Sequence, residues 1–362
     1  MRLLALEIQD LRNIAHAVLT PAEQATLVVG PNGQGKTNLL EALYVLATLR
    51  PLRANRFSEL VRFGQERARV AGRFLLGGAE RVISVEIAGG TREAFVDGKP
   101  ARSLGEYFGG VSVVAFTPDD LAAVKGGPDL RRRLLDRAVF NRFPAHLEAS
   151  REYARALKGR NKLLKERAAP ALLDVWNEAL AKAGARVVSR RRALVNELSG
   201  RAAAACEAIA RGDGGLEVDY APSGVPAGAL DDEAQVREAL YAVLSARTGA
   251  DLERGFTSVG PHTDDLDLVL NGRAARSYAS QGQQRAIVLA FKIAEIENLQ
   301  ATLGRPPLLL LDDVSSELDP ARNAFLMEYL RAQRLQVFLT TTDAQLVRPA
   351  AGPDARCFTV RA

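Results

Sequence analysis

Apolar and polar positions change period along the chain, and the changes mark out three stretches. Near the start, Leu4, Leu6 and Ile8 alternate with charged or small neighbours, the period of a half-buried strand. The short apolar run Ala25–Val29 stops at Gly30, and a helical pattern then runs from about Lys36 to Leu49. Alternation over Arg69–Phe74, Arg81–Ile87 and Ala94–Val96 predicts antiparallel strands, with Asp97-Gly98 as a hairpin turn. Val111–Phe116 reads as a buried strand closed by Thr117-Pro118.

From Leu130 to about Arg211 the strand signal is absent and Ala, Leu, Arg and Glu dominate. Leu173, Trp176, Leu180, Ala183, Val187 and Leu194 follow a near-heptad spacing interrupted at Arg190. This predicts two long helices, broken near Pro144 and turned around Ala169-Pro170, before punctuation at Gly212, Gly214 and Gly215. The strict register lasts about three repeats, which excludes a long coiled coil. After about Asp251 the mixed pattern returns. Leu266–Leu270 with Asn271-Gly272 predicts a strand and its turn, Gln283–Leu303 a helix, and Leu308–Leu311 and Gln336–Thr340 core strands. The expected layout is an α/β fold split by a helical insertion. Residues 1–125 and 251–362 form the two halves of one domain, and 126–250 the inserted lobe.

A length of 362 residues with 47% hydrophobic and 25% charged residues is ordinary globular material. No run approaches a membrane-spanning length, and charge interrupts the N-terminus too early for a secretory signal, so a cytoplasmic location is expected. Cys206 and Cys357 are too few and too far apart for a disulfide scaffold, a zinc ribbon or C-x-x-C chemistry. His16, His146 and His262 are too scattered for histidine-based zinc catalysis, which leaves oxygen-ligated magnesium open. The net charge of +5 is unevenly spread. Arg131 to Arg192 holds 17 basic and 6 acidic residues, a local +11, while the remainder is −6. A basic surface for nucleic-acid phosphates is one reading of this segment, and solvated helix faces are the other.

The candidate chemistry begins with Gly30-Pro31-Asn32-Gly33-Gln34-Gly35-Lys36-Thr37, a full G-x-x-x-x-G-K-[ST] between an expected strand and an expected helix. Glycines let backbone N–H groups turn toward phosphate oxygens, Lys36 reaches the β- and γ-phosphates, and the Thr37 hydroxyl ligates Mg²⁺. Leu308–Leu311 ends in Asp312-Asp313. The first carboxylate is placed for the Mg²⁺ shell and the second to orient or deprotonate water. Ser280-Gln281-Gly282-Gln283 opens a helix and forms a second candidate anion site. Ser316-Glu317-Leu318-Asp319 follows the acidic pair, and Thr340-Thr341-Thr342 caps the last apolar strand.

Phosphate loop, S-x-G-Q, hydrophobic-Asp-Asp and S-x-L-D, in this order, resemble an ABC-type ATPase head. The insertion is too long for a transporter subunit and too short for an SMC protein. Further motifs extend the resemblance along the whole chain: Leu11-Arg12-Asn13, Phe116–Leu121, Val124–Pro128, Arg131–Arg133, Gly260–Leu266 and Gln281–Arg285. Together they are similar to the RecF family of bacterial DNA recombination and repair proteins. The resemblance implies an ABC-type ATPase head, a mixed sheet carrying the phosphate loop, with an α-helical inserted lobe. It implies that two heads sandwich ATP, each signature segment (Ser280, Gly282, Gln283) contacting the γ-phosphate held by the other copy. The implied activity is weak, DNA-stimulated ATP hydrolysis by Lys36, Asp312 and Asp313. The implied assembly is an ATP-dependent homodimer that clamps duplex or gapped DNA without reading sequence. RecR, with RecO as a second candidate, is the implied partner, favouring RecA loading. Candidate DNA contacts are Arg131–Arg133, Arg155, Lys158, Arg160, Lys162 and Arg190–Arg192.

Three positions depart from the family pattern. Asp313 stands where most ABC ATPases have Glu, which fits this family and slow hydrolysis. Thr263 stands where Arg is expected. No histidine lies near Thr340–Asp343, so a Thr must sense the γ-phosphate or that sensor is absent. The competing reading is the soluble nucleotide-binding subunit of an ABC transporter.

Overall fold

The computed structural model describes every residue except 55, 110, 211–213, 315–317, 344–351, 353 and 361–362. The chain divides into two compact units, Met1–Leu121 with Glu295–Ala362, and Ala122–Ala294.

The first unit opens with β1 (Arg2–Leu11), β2 (Ile14–Leu19), β3 (Ala25–Val29) and α1 (Lys36–Thr48). There follow β4 (Arg67–Leu76), β5 (Ala79–Ala88), β6 (Thr91–Val96), β7 (Lys99–Pro100), the short α2 (Leu104–Phe108) and β8 (Val113–Phe116). The hairpin turn falls at Asp97-Gly98 as expected, with φ of 49° and 77°, the left-handed pair that Asp-Gly accommodates well. In β1 the expected apolar face is corrected. Leu3, Leu6 and Ile8 are buried, because the pairing with β4 shifts register between Leu3 and Ala5. A bulge of this kind moves a residue to the other face of the strand.

The chain then enters the second unit through α3 (Pro118–Lys125). Helices α4 (Pro128–Arg142), α5 (His146–Lys165) and α6 (Pro170–Ala210) follow, so the breaks near Pro144 and Pro170 separate three helices. Pro128 stands in the first turn of α4, where its missing N–H leaves no bond unmade. The buried stripe of α6 keeps a heptad spacing through Leu173, Asn177, Leu180, Gly184, Val187, Arg191, Leu194 and Leu198. Two polar residues sit within it. Strand β9 (Leu216–Ala221), α7 (Glu233–Ala246), α8 (Thr248–Arg254), β10 (Asp265–Leu270), β11 (Arg273–Ala274) and α9 (Ala275–Tyr278) complete this unit, with β9, β10 and β11 in one antiparallel sheet. It therefore extends well past residue 250, where the inserted lobe was expected to end.

Helix α10 (Gln281–Leu303) leads back to the first unit, which closes with β12 (Leu308–Asp312), α11 (Pro320–Ala332), β13 (Val337–Thr341) and β14 (Arg356–Thr359). Two sheets form here. One is antiparallel in the order β2-β1-β4-β5-β6-β7. The other is parallel in the order β14-β3-β13-β12-β8. Helix α1 contacts strands of both, which is why it is apolar on nearly every side. Strands β8, β12 and β13 are buried along their length, as expected of parallel strands covered on both faces. Register aligns Val28 with Thr340 and Thr340 with Asp312, so three carboxyl ends open at one edge of the sheet. Ligands of open α/β sheets bind at such an edge. Among the described residues no helix is long and apolar enough to cross a membrane.

Candidate nucleotide site

The segment Gly30–Thr37 joins β3 to α1 at that edge. Gly33 and Gly35 adopt φ of 82° and 99°, which a side chain would strain. At Gly35 a Cβ would also lie 2.5 Å from the Asn13 side chain. Asn13 wedges the loop, donating to the Gln34 carbonyl at 3.2 Å and accepting from Asn38 at 2.8 Å. Lys36 runs back along the loop, its Nζ donating to the carbonyls of Gly30 and Pro31 at 2.7 and 2.9 Å and to Asn32 Oδ1 at 3.3 Å. The ammonium is thus held among the backbone groups that would surround a phosphate.

Asp312, 2% exposed at the end of β12, collects three partners. Its Oδ1 accepts the hydroxyls of Thr37 at 2.8 Å and Thr340 at 2.9 Å, and its Oδ2 accepts from Arg53 at 2.5 Å. Thr37 and Asp312 are far apart in sequence, and the parallel sheet brings them together. Oxygen donors from a hydroxyl and a carboxylate suit a hard cation such as Mg²⁺, so the residues present fit that group. Asp313 follows in the left-handed region (φ 52°), which Asp tolerates better than most residues, and its N–H donates to Thr340 Oγ1 at 2.9 Å. Thr340 thereby links both carboxylate-bearing residues.

Arg53 was not singled out from the sequence, and nothing local marks it. Glu41 left a signal, an acid inside the otherwise apolar Leu39–Leu46 run. Buried on α1, it accepts from Arg12 Nε at 2.9 Å and from the Arg53 backbone N–H at 3.2 Å, which fixes the segment that carries Arg53.

In the second unit, Ser280 and Gln283 cap α10 reciprocally. The Gln283 N–H donates to Ser280 Oγ at 3.3 Å, and the Ser280 N–H to Gln283 Oε1 at 2.8 Å. This capping box presents Ser280 on the surface and Gly282 half-buried in the first turn. Ser316, Glu317 and Gly212 lie outside the described residues.

The basic segment needs correction. Arg131 is 4% exposed and forms a bidentate pair with Asp265 at 2.7 and 2.8 Å. Arg160 is fully buried against Asp251 at 2.7 Å. Arg191 is buried, paired with Asp136 and Asp264 at 2.8 and 2.9 Å. Burial acts to raise the Asp136 pKa, but the charge of Arg191 and the bond from His146 outweigh it and hold the carboxyl well below the usual range. These three arginines are internal and do not present their charge to DNA. Arg132 and Arg190 donate to the carbonyls of Asp264 and Ala145, and Arg192 pairs with Asp219 at 3.1 Å. Arg133, Arg155, Lys158 and Lys162 are exposed. Thr263 is exposed, its hydroxyl donating to the Gly260 carbonyl at 2.9 Å.

A phosphate loop on a parallel sheet, with an acidic strand end beside its threonine, defines an ATPase head of the class shared by ABC and SMC proteins. The family model for the RecF/RecN/SMC N terminal domain matches residues 2–360. The DNA replication and repair protein RecF of Myxococcus xanthus is 63% identical over 357 residues, covering 98% of this chain and 94% of that one. RecF of Anaeromyxobacter dehalogenans is 56% identical, covering 100% and 98%. Among solved structures, the recombination mediator protein RecF-ATPrS in the RecFOR pathway aligns with a TM-score of 0.88 at 31% identity over 99% of this chain and 96% of that one. An SMC head shares the fold alone, at a TM-score of 0.53 and 16% identity, covering 96% and 91%. The chain belongs to the RecF family of DNA replication and repair proteins, and the transporter reading is set aside.

Proposed function

We propose that the chain binds ATP in the Gly30–Thr37 loop, pairs with a second copy in response, and clamps DNA until slow hydrolysis releases it. The observation that carries the reading is Asp312 Oδ1 accepting both the Thr37 and Thr340 hydroxyls. Lys36 lies on the β/γ-phosphates, and Thr37 with Asp312 hold the metal. Bound Mg²⁺ would neutralise charge on the phosphate oxygens. Asp313, held through its N–H by Thr340, positions water, and the shorter carboxylate fits a low turnover. Thr340 answers to the γ-phosphate in place of a histidine. Ser280, Gly282 and Gln283 meet the nucleotide held by the other copy, because a capped helix start offers N–H groups to an anion.

DNA is held by phosphate contacts from Arg133, Arg155, Lys158 and Lys162, which accounts for binding without sequence reading. The proposed role is at gapped DNA with RecR and RecO, favouring RecA loading; what supports it is that solved RecF relatives are described as recombination mediators in the RecFOR pathway. The proposed setting is the cytoplasm, where ATP and chromosomal DNA are found together. The test is duplex binding in ATP and in ADP across a salt series. Binding should need ATP, and the logarithm of the constant should fall with the logarithm of salt by about 0.9 per phosphate contacted. Equal, salt-insensitive binding in both nucleotides contradicts the reading.

A further inference from the structure

A cleft of about 320 Å³ lies within the second unit. It is lined by Arg132 and Arg133 of α4, by Tyr153, Ala154 and Leu157 of α5, and by His262 of the loop before β10. The aromatic pair is neutral, and its polar atoms are satisfied within the protein. His262 Nε2 donates to the Thr257 carbonyl at 3.0 Å, which leaves Nδ1 to accept the Tyr153 hydroxyl at 2.7 Å. Gly260, at φ 118°, permits this arrangement, since a Cβ there would stand 2.7 Å from the Tyr153 hydroxyl. The lining therefore combines apolar and aromatic groups with three guanidinium groups, Arg132, Arg133 and Arg191, and two carboxylates. Of these, Asp136 is paired with Arg191 at 2.8 Å and Asp129 lies 3.9 Å from Arg133, so the cations outnumber the anions by one. Arg133 is exposed and only loosely paired with exposed Asp129 at 3.9 Å, a contact worth little in water, and Arg132 is half-buried with one N–H bound to a neutral carbonyl, so its charge stays available to an anion.

Apolar aromatic walls beside cations suit a flat ring attached to a phosphate. A nucleotide offers both, through stacking on aromatic side chains and phosphate contacts to arginine. The volume is at the small end for ligand sites, on the order of 300 Å³, room for one nucleotide. A base inside a duplex cannot enter without leaving its stack, so the cleft selects nucleotides that are already unpaired. We propose that this cleft receives an unpaired base of the bound DNA, with Arg132 and Arg133 on the phosphates that flank it. The proposal rests on the DNA-binding reading and adds to it a reason for preferring gaps over continuous duplex.

The experiment uses the full chain with ATP and three fluorescent DNAs: an intact duplex, the same duplex with a short single-stranded gap, and that gap built from abasic residues. Backbone charge is equal in the two gaps, so only the bases differ. The unmodified protein should bind the normal gap about five- to a hundredfold more tightly than the abasic one. Ala154 is exposed on α5, so Ala154→Glu places a carboxylate in the cleft without disturbing the core, and it should abolish that preference. Equal affinity of the unmodified protein for both gaps overturns the proposal. So does a preference that survives Ala154→Glu. Absence of salt-sensitive binding to the intact duplex would instead overturn the DNA-binding reading itself.

Discussion

Arg160→Ala separates internal charge from surface charge. The Arg160 guanidinium donates to Asn177 Oδ1 and Asp251 Oδ2, each at 2.7 Å, to Thr257 Oγ1 at 2.8 Å and to the Leu244 carbonyl at 3.3 Å. Neither Arg160 nor Asp251 has any exposed surface. Truncation leaves the Asp251 carboxylate without its cation inside the protein, with the Ser258 N–H at 3.2 Å as a remaining donor. Removing one partner of a buried pair typically destabilises by about 3–5 kcal/mol. In a unit of this size about 2–4 °C of melting temperature corresponds to 1 kcal/mol, so a fall of about 6–20 °C is expected. Lys158→Ala, two residues earlier and exposed, should change stability by less than about 0.5 kcal/mol. Its effect should appear in DNA binding, as a salt slope smaller by about 0.9. Calorimetric melting and a salt titration on both variants make the comparison. Arg160→Met with Asp251→Leu should recover much of the lost stability, since the orphaned charge is gone. An Arg160→Ala protein that melts within about 2 °C of the parent and loses DNA affinity would refute the assignment of this charge to the interior.

Three further outcomes follow from the geometry. Lys36→Met removes the cation held by the Gly30 and Pro31 carbonyls, and the loss of one charged contact, about 1.5–3 kcal/mol, should weaken ATP binding by calorimetry at least tenfold. Thr340→Val deletes the hydroxyl shared by Asp312 and the Asp313 N–H, so single-turnover hydrolysis should slow about 10- to 100-fold while ATP binding persists. A fall in affinity without a fall in rate would place Thr340 outside the hydrolytic machinery. Burial pulls the His262 imidazole below its usual pKa of 6.5. The unfolded chain then takes up the proton first as pH falls, so this contribution to stability is present above 6.5 and is lost as pH drops through the lowered value. Melting temperature should decline between about pH 7 and 5, and His262→Gln should flatten that decline.

The parts of the site that were legible in the sequence are those fixed by contiguous residues. Gly30–Thr37 could be read because each glycine answers a backbone demand, and the two with left-handed φ are Gly33 and Gly35. The acidic end of β12 was legible as an apolar run stopped by charge. Its pairing with Thr37 follows from sheet order, which no local pattern encodes. Arg131, Arg160 and Arg191 looked like surface charge because their partners Asp265, Asp251 and Asp264 lie far along the chain. The interruption noted at Arg190 was a real sign, since the neighbouring Arg191 occupies the buried heptad position between Val187 and Leu194. Strand β9 was missed although Leu216, Val218 and Tyr220 alternate, the pattern of a strand with one buried face. Leu3 displaced Leu4 from the core through a bulge, which alternation alone does not reveal.

The central claim is that ATP joins two copies through the surface carrying Ser280. It is tested most directly by measuring ATP affinity and molecular mass on one variant, Ser280→Arg. Ser280 caps α10, and on this account it meets the nucleotide of the other copy and not its own, so ATP binding by a single copy should be nearly unchanged. The parent should double its mass in ATP and remain single in ADP, which has no γ-phosphate to bridge two heads. Ser280→Arg should stay single in both, because the bulky side chain blocks the two symmetry-related sites at once. A variant that still pairs in ATP, or that loses ATP as a single copy, would contradict the two-head arrangement.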